Sequence, residues 1–79
     1  MDNLSLDAKI EAFLFYKGEP VSFTVLAKVF GAENEEIVEA LKVLEEKLSG
    51  RGLSLVTNES EVMLGTNVSL SSFFEEMRK

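Results

Sequence analysis

Apolar positions recur along this chain with two different periods, and the change of period divides it into helices and then strands. Leu6, Ile10, Phe13 and Leu14 fall on one helical stripe after Ser5, which stands where a capping residue belongs, so the spacing predicts a first helix to about Tyr16. Ala8, Ala12 and Phe15 lie roughly opposite, leaving narrow polar strips at Asp7, Lys9 and Glu11. A helix apolar on two sides is buried on two sides, so the second side requires a cover, either a hairpin of the same chain or a second subunit. Lys17-Gly18-Glu19-Pro20 breaks the helix: Gly18 can end it, Pro20 biases Glu19 towards an extended conformation, and Val21 sits in a short extended piece before Ser22. Ser22 then caps a second helix with Phe23, Leu26, Val29 and Phe30 at helical spacing, ended by Gly31. Asn34 is the next candidate cap, followed by Glu35 and Glu36 in a first turn whose field favours anions. Ile37, Leu41, Leu44 and Leu48 make the stripe of the third helix. Two short helices joined by a glycine turn form a helix-turn-helix.

Beyond Ser49-Gly50-Arg51-Gly52 the period shortens to alternation. Leu53 to Thr57 and Glu61 to Leu64 read as two strands joined by the polar loop Asn58-Glu59-Ser60, with Leu53, Leu55, Val62 and Leu64 expected to face in. A lone hairpin is marginal, so it must pack on the helices. From Asn67 to Lys79, Leu70, Phe73, Phe74 and Met77 form a further stripe, and Ser72 and Glu75 have the spacing of a capping box. A short terminal helix results, which packs back on the domain, leads into a further domain or docks on another subunit. The predicted fold is mainly α with a small β hairpin: a winged helix-turn-helix of three helices plus wing, with a short C-terminal helix, in a single domain over residues 1–79.

Composition narrows the chemistry. There is no His, Cys or Trp, which removes thiolate nucleophiles, disulfides and zinc sites built on Cys or His. Met1-Asp2-Asn3 opens no signal peptide, and no run of about 18 apolar residues offers a membrane span. Glu33, Glu35, Glu36, Glu39, Glu45 and Glu46 cluster in or just before the third helix. A catalytic carboxylate pair needs a cleft that drives two pKa values apart, and these acids lie on an exposed helix face, so they read as a solvated surface. No calcium-loop spacing is present, and the glycine turn leads out of a helix rather than from a strand into one, unlike a phosphate loop. Neither an enzyme, a metal nor a cofactor is expected.

The acids also bear on nucleic acid. The second helix of a helix-turn-helix enters the major groove, where affinity rests on neutralising phosphates with Lys and Arg. Here Lys42 and Lys47 oppose five glutamates on that helix, Arg51 is a lone cation beside the wing, and the formal net charge of the chain is −6. A DNA-binding transcriptional regulator is therefore the second reading, behind a winged helix that binds protein.

The order of motifs resembles a known family. Leu14-Phe15, Gly18-Glu19-Pro20-Val21-Ser22 and Leu26-Ala27 are similar to the opening of the bacterial segregation and condensation protein B family. There, a helix ending in Leu-Phe is followed by a Gly-Glu-Pro-Leu-Ser-like turn and a helix containing Leu-Ala. The resemblance continues through residues 38–48 and 50–56, and Leu64 and Thr66 keep a Leu-x-Thr ending. Asn58 to Met63 departs from the Gly-Gly and aromatic pattern of family wings. Coverage is about residues 6 to 66. The resemblance implies a non-enzymatic accessory subunit of a bacterial structural-maintenance-of-chromosomes (SMC, condensin-like) complex, serving chromosome segregation and condensation. It implies a homodimer, binding to the kleisin (segregation and condensation protein A) and through it to the SMC ATPase, no direct sequence-specific DNA binding, and a cytoplasmic location at the nucleoid. The family has a second winged helix that this sequence does not carry, so contacts of that domain are not transferred. The candidate dimer or partner interface is Ala8, Ala12, Phe15, Leu70, Phe73, Phe74 and Met77.

Overall fold

The computed structural model describes residues 3–67 and 75–77. Three helices come first: α1 (Leu6–Lys17), α2 (Phe23–Phe30) and α3 (Asn34–Lys47). Three strands complete the domain: β1 (Val21–Ser22) just before α2, then β2 (Leu53–Thr57) and β3 (Glu61–Thr66). The sheet has the order β1-β3-β2 and both pairings are antiparallel. This is the expected helix-turn-helix with a wing. The terminal helix expected over Asn67 to Lys79 lies mostly outside the described residues, as do Leu70, Phe73 and Phe74; Glu75, Glu76 and Met77 are helical.

Local chemistry sets most boundaries. The Ser22 Oγ accepts the Val25 backbone N–H at 3.1 Å, the bond a serine cap is there to make. Gly18 and Gly31 close α1 and α2 at φ 66° and 61°, the left-handed region where a side chain would be strained. Three boundaries differ from expectation by a residue or two. α1 extends to Lys17. α3 is capped by Glu33 rather than Asn34, because the Glu36 carboxylate turns back to accept the Glu33 N–H at 2.8 Å. β3 runs on to Thr66 because Leu53 pairs with it across the ladder. In the wing turn, the Asn58 Oδ1 accepts both the Ser60 and Glu61 N–H groups, at 2.9 and 2.8 Å, which fixes the loop as an Asx turn.

Ile10 and Leu14 of α1, Leu26 of α2, Ile37, Ala40, Leu41 and Leu44 of α3, and Val21 and Val62 of the sheet form one buried cluster. Val62 sits opposite Val21 on one side and Thr57 on the other, so the middle strand is anchored from both edges. Phe13 meets Phe30 edge-on, ring centroids 5.8 Å apart, joining α1 to α2 at the rim of the core. Two apolar residues, one of the α2 stripe and one of the hairpin face expected to point in, are exposed. Val29 is exposed because α2 is a short helix with one side on the core, and Leu53 is exposed because it lies at the open end of the hairpin.

The largest correction concerns Asp7, which the pattern assigns to a polar strip. It is 7% exposed, and the Lys47 ammonium donates to its Oδ2 at 2.9 Å. The first turn of α1 and the last turn of α3 are thereby tied together by groups that also suit the dipoles of their own helices.

Candidate functional site

The structure divides the candidate interface of α1. Ala8 is half-buried, while Ala12 is exposed and Phe15 is 75% exposed, with the exposed Tyr16 beside it. The hairpin meets α1 through β3 on the core side. It leaves Phe15 uncovered, so it is not the intramolecular cover that the two-sided pattern allowed. Met77 is exposed as well, and the other three candidate residues lie outside the described chain.

A second surface was not among the sequence candidates. Between α3 and the wing lies a hollow of about 250 Å3. It is lined by Phe23 at the start of α2, by Val38, Leu41, Lys42 and Glu45 of α3, and by Leu55, Thr57 and Asn58 of the wing. The Phe23 N–H donates to the Ser60 carbonyl at 3.0 Å, which ties the start of α2 to the wing turn. Val38 is 43% exposed although it belongs to a helix whose apolar stripe faces the core. The one signal in the sequence was this valine standing off the stripe.

The electrostatics of α3 are lopsided. Glu35, Glu36, Glu39, Glu45 and Glu46 are all exposed. Lys47 is engaged by Asp7 and leaves Lys42 as the remaining lysine of the helix. The Asp7 carboxyl is held below its ordinary pKa, first by the Lys47 hydrogen bond and then by the Ser5 hydroxyl, against a smaller opposing effect of burial. This shift belongs to an inter-helix tie, not to a reacting group. Among the described residues, no cluster of three or more acidic or metal-ligating side chains is arranged to hold a metal ion, and no helix is long and apolar enough to cross a membrane.

Comparison with known proteins then decides the family. The family profile described as "Segregation and condensation complex subunit ScpB" matches residues 8–79. The chain belongs to the ScpB family. A ScpB relative, "Segregation and condensation protein B" of Caldanaerobacter subterraneus subsp. tengcongensis, is 33% identical over 78 residues, which are 96% of this chain and 46% of that protein. The chain thus spans about half the length of that relative. Two solved ScpB structures share the fold. The ScpB N-terminal domain, crystallised as a dimer complexed with a ScpA peptide, superposes with a TM-score of 0.78 at 23% identity, covering 90% of this chain and 91% of that one. ScpB from Mycobacterium tuberculosis superposes with a TM-score of 0.80 at 20% identity, covering 98% of this chain and 49% of that one. The winged-helix layout read from the sequence is therefore that of ScpB N-terminal domains.

Proposed function

We propose that this chain is the accessory ScpB-type subunit of a bacterial SMC complex, or its N-terminal winged-helix domain, and that it works without catalysis by binding the ScpA kleisin as a homodimer. The observation that carries this reading is the family match over residues 8–79, together with the likeness to a dimeric N-terminal domain complexed with a ScpA peptide. The acidic outer face of α3 agrees with a protein partner and opposes a phosphate backbone. Through the kleisin, the subunit would act at the SMC ATPase and travel with the nucleoid, in chromosome segregation.

Self-association gives the domain a use for its uncovered apolar residues. Ala12, Phe15 and Met77 are exposed, and contiguous apolar surface of several hundred Å2 commonly marks an interface. A two-fold pair is the commonest way to close a self-complementary patch. Sedimentation equilibrium across about 5–500 µM, alone and with the purified ScpA of the same organism, tests both parts; the charge of −6 per chain is screened over about 8 Å at physiological salt. A dimer that takes up kleisin is expected. A monomer throughout would overturn the homodimer, and a mixture that sediments as separate components would overturn the kleisin reading. Phe15→Asp and Phe74→Asp address the two candidate patches separately: the variant in the pairing surface dissociates the dimer and keeps its helical circular dichroism.

A further inference from the structure

The sheet order β1-β3-β2 leaves β2 with a neighbour on one side only. The two ends of the hairpin show which of its backbone groups face the open side. The Asn67 N–H donates to the Gly52 carbonyl at 2.7 Å, and the Asn58 N–H donates to the Glu61 carbonyl at 3.0 Å. Between them the register runs unbroken from Leu53 opposite Thr66 to Thr57 opposite Val62. Antiparallel pairs alternate between bonded and non-bonded, so Gly52, Ser54, Val56 and Asn58 bond across the hairpin. Leu53, Leu55 and Thr57 therefore turn both N–H and C=O away from β3. Among the described residues these outward groups have no hydrogen-bond partner. Sheets commonly guard such an edge with lysine, proline or a bulge. β2 is Leu-Ser-Leu-Val-Thr, with no charge, no proline and no bulge, and Leu53, Val56 and Thr57 are exposed.

The edge is self-complementary. An antiparallel pair of β2 strands centred on Leu55 sets Leu53 opposite the partner's Thr57 and Leu55 opposite the partner's Leu55. Every outward N–H of β2 then meets an outward C=O. The charges beyond the strand ends agree with the same register. Arg51 stands two positions before β2 and Glu59 two positions after it, so each Arg51 falls beside the partner's Glu59. Both residues are exposed, and neither makes an ion pair among the described residues. Residues 48–58 hold no carboxylate, so two chains of net charge −6 can approach along this edge without like charges facing each other in the ladder. Resting on the homodimer reading above, we propose that two copies of this chain pair antiparallel along β2 about a two-fold axis at Leu55, joining their three-stranded sheets into one. The backbone supplies the contact, and the two Arg51–Glu59 pairs fix the register. Five residues give about 17 Å of paired edge, a small interface whose dissociation is measurable.

The test is sedimentation equilibrium of the whole chain over the concentration range given above, with three variants. Thr57→Pro removes an outward N–H that the domain itself does not use, at an edge position where proline is tolerated. It should weaken the dimer at least about tenfold and keep the far-ultraviolet circular dichroism. Arg51→Glu places two carboxylates together at each end of the pair and should weaken it about fivefold at low salt. Adding Glu59→Arg to that variant restores opposite charges and should return the affinity to within about twofold of the unsubstituted chain. Phe15→Asp, on α1, should leave the dimer unchanged. In the same samples the amides of Leu53, Leu55 and Thr57 should exchange slowly with solvent when concentrated and quickly when dilute. A dimer that withstands Thr57→Pro and Arg51→Glu, or that Phe15→Asp or Phe74→Asp dissociates in their place, would overturn pairing along β2 and leave the homodimer standing. Protection of those amides only when purified ScpA is added would overturn it in favour of a kleisin strand on the edge. A monomer throughout would overturn both readings.

Discussion

The contact between Asp7 and Lys47 gives the sharpest test of how this small domain is held together. The Lys47 ammonium lies 2.9 Å from the Asp7 Oδ2, with side-chain exposures of 61% and 9%. Two unit charges about 4 Å apart attract by about 4 kcal/mol at an effective dielectric constant near 20. Ordering a lysine costs up to about 2 kcal/mol of rotamer freedom, and partial burial of the carboxylate costs about 1 kcal/mol more. The net coupling is then about 1 kcal/mol, at the upper end of what half-exposed pairs give. A double-mutant cycle of Asp7→Asn and Lys47→Met, followed by urea unfolding at pH 7, isolates that term. In a domain of this length 1 kcal/mol corresponds to about 4–8 °C in Tm. The dependence on pH has a definite sign. The folded carboxyl has a lowered pKa, so its contribution is fully present above the unfolded value of 3.8 and is lost as pH falls through the lower folded value. The stability gap between the unsubstituted chain and Asp7→Asn should therefore hold from pH 7 to about 5 and close below about pH 4. A gap that stays constant down to pH 2, or a coupling energy below about 0.3 kcal/mol, would refute the assignment of this pair as a tie between α1 and α3.

Other expectations follow from the core, the caps and the charge. Leu41→Ala removes a buried side chain of α3 from the common core and should cost about 2–5 kcal/mol, read as a lower urea midpoint. Ser22→Ala deletes the acceptor for the Val25 N–H and should cost about 1 kcal/mol in the same assay. The chain should leave a labelled random duplex unbound at micromolar concentration in about 50 mM salt by fluorescence anisotropy, because the exposed face of α3 is acidic; a salt-sensitive submicromolar affinity would restore the regulator reading.

What the sequence disclosed and what it withheld divide along physical lines. Ser22, Gly31 and the stripe Ile37, Leu41, Leu44 act within a few residues of themselves, so their roles follow from local spacing. The pairing of Val21 with Val62 was legible only as a short extended piece before a helix, since its partner lies 41 positions away. Asp7 was misread for the same reason: one helix period assigns it to a polar strip, and only the arrival of Lys47 explains its burial. Glu33 displaced Asn34 as the cap because the reciprocal bond from Glu36 outweighs the usual preference for Asn. The α3–wing hollow could not be read at all as a shape, because three separate elements supply its walls. Val38 off the stripe was the single local trace of it.

The division between core and surface on α3 explains how one scaffold can serve a protein-binding role. Ile37, Ala40, Leu41 and Leu44 are committed to packing and fix the angle of the helix against α1 and α2. Glu35, Glu39, Glu45 and Glu46 contribute nothing to that packing and are free to be chosen for a partner. In a DNA-reading winged helix the same outward positions must supply cations, since phosphate neutralisation provides most of the affinity. Here the helix spends one of its two lysines on Asp7, a structural contact, and turns five glutamates outward. The two features reinforce each other. Carboxylates on this face repel a polyanion such as a phosphate backbone.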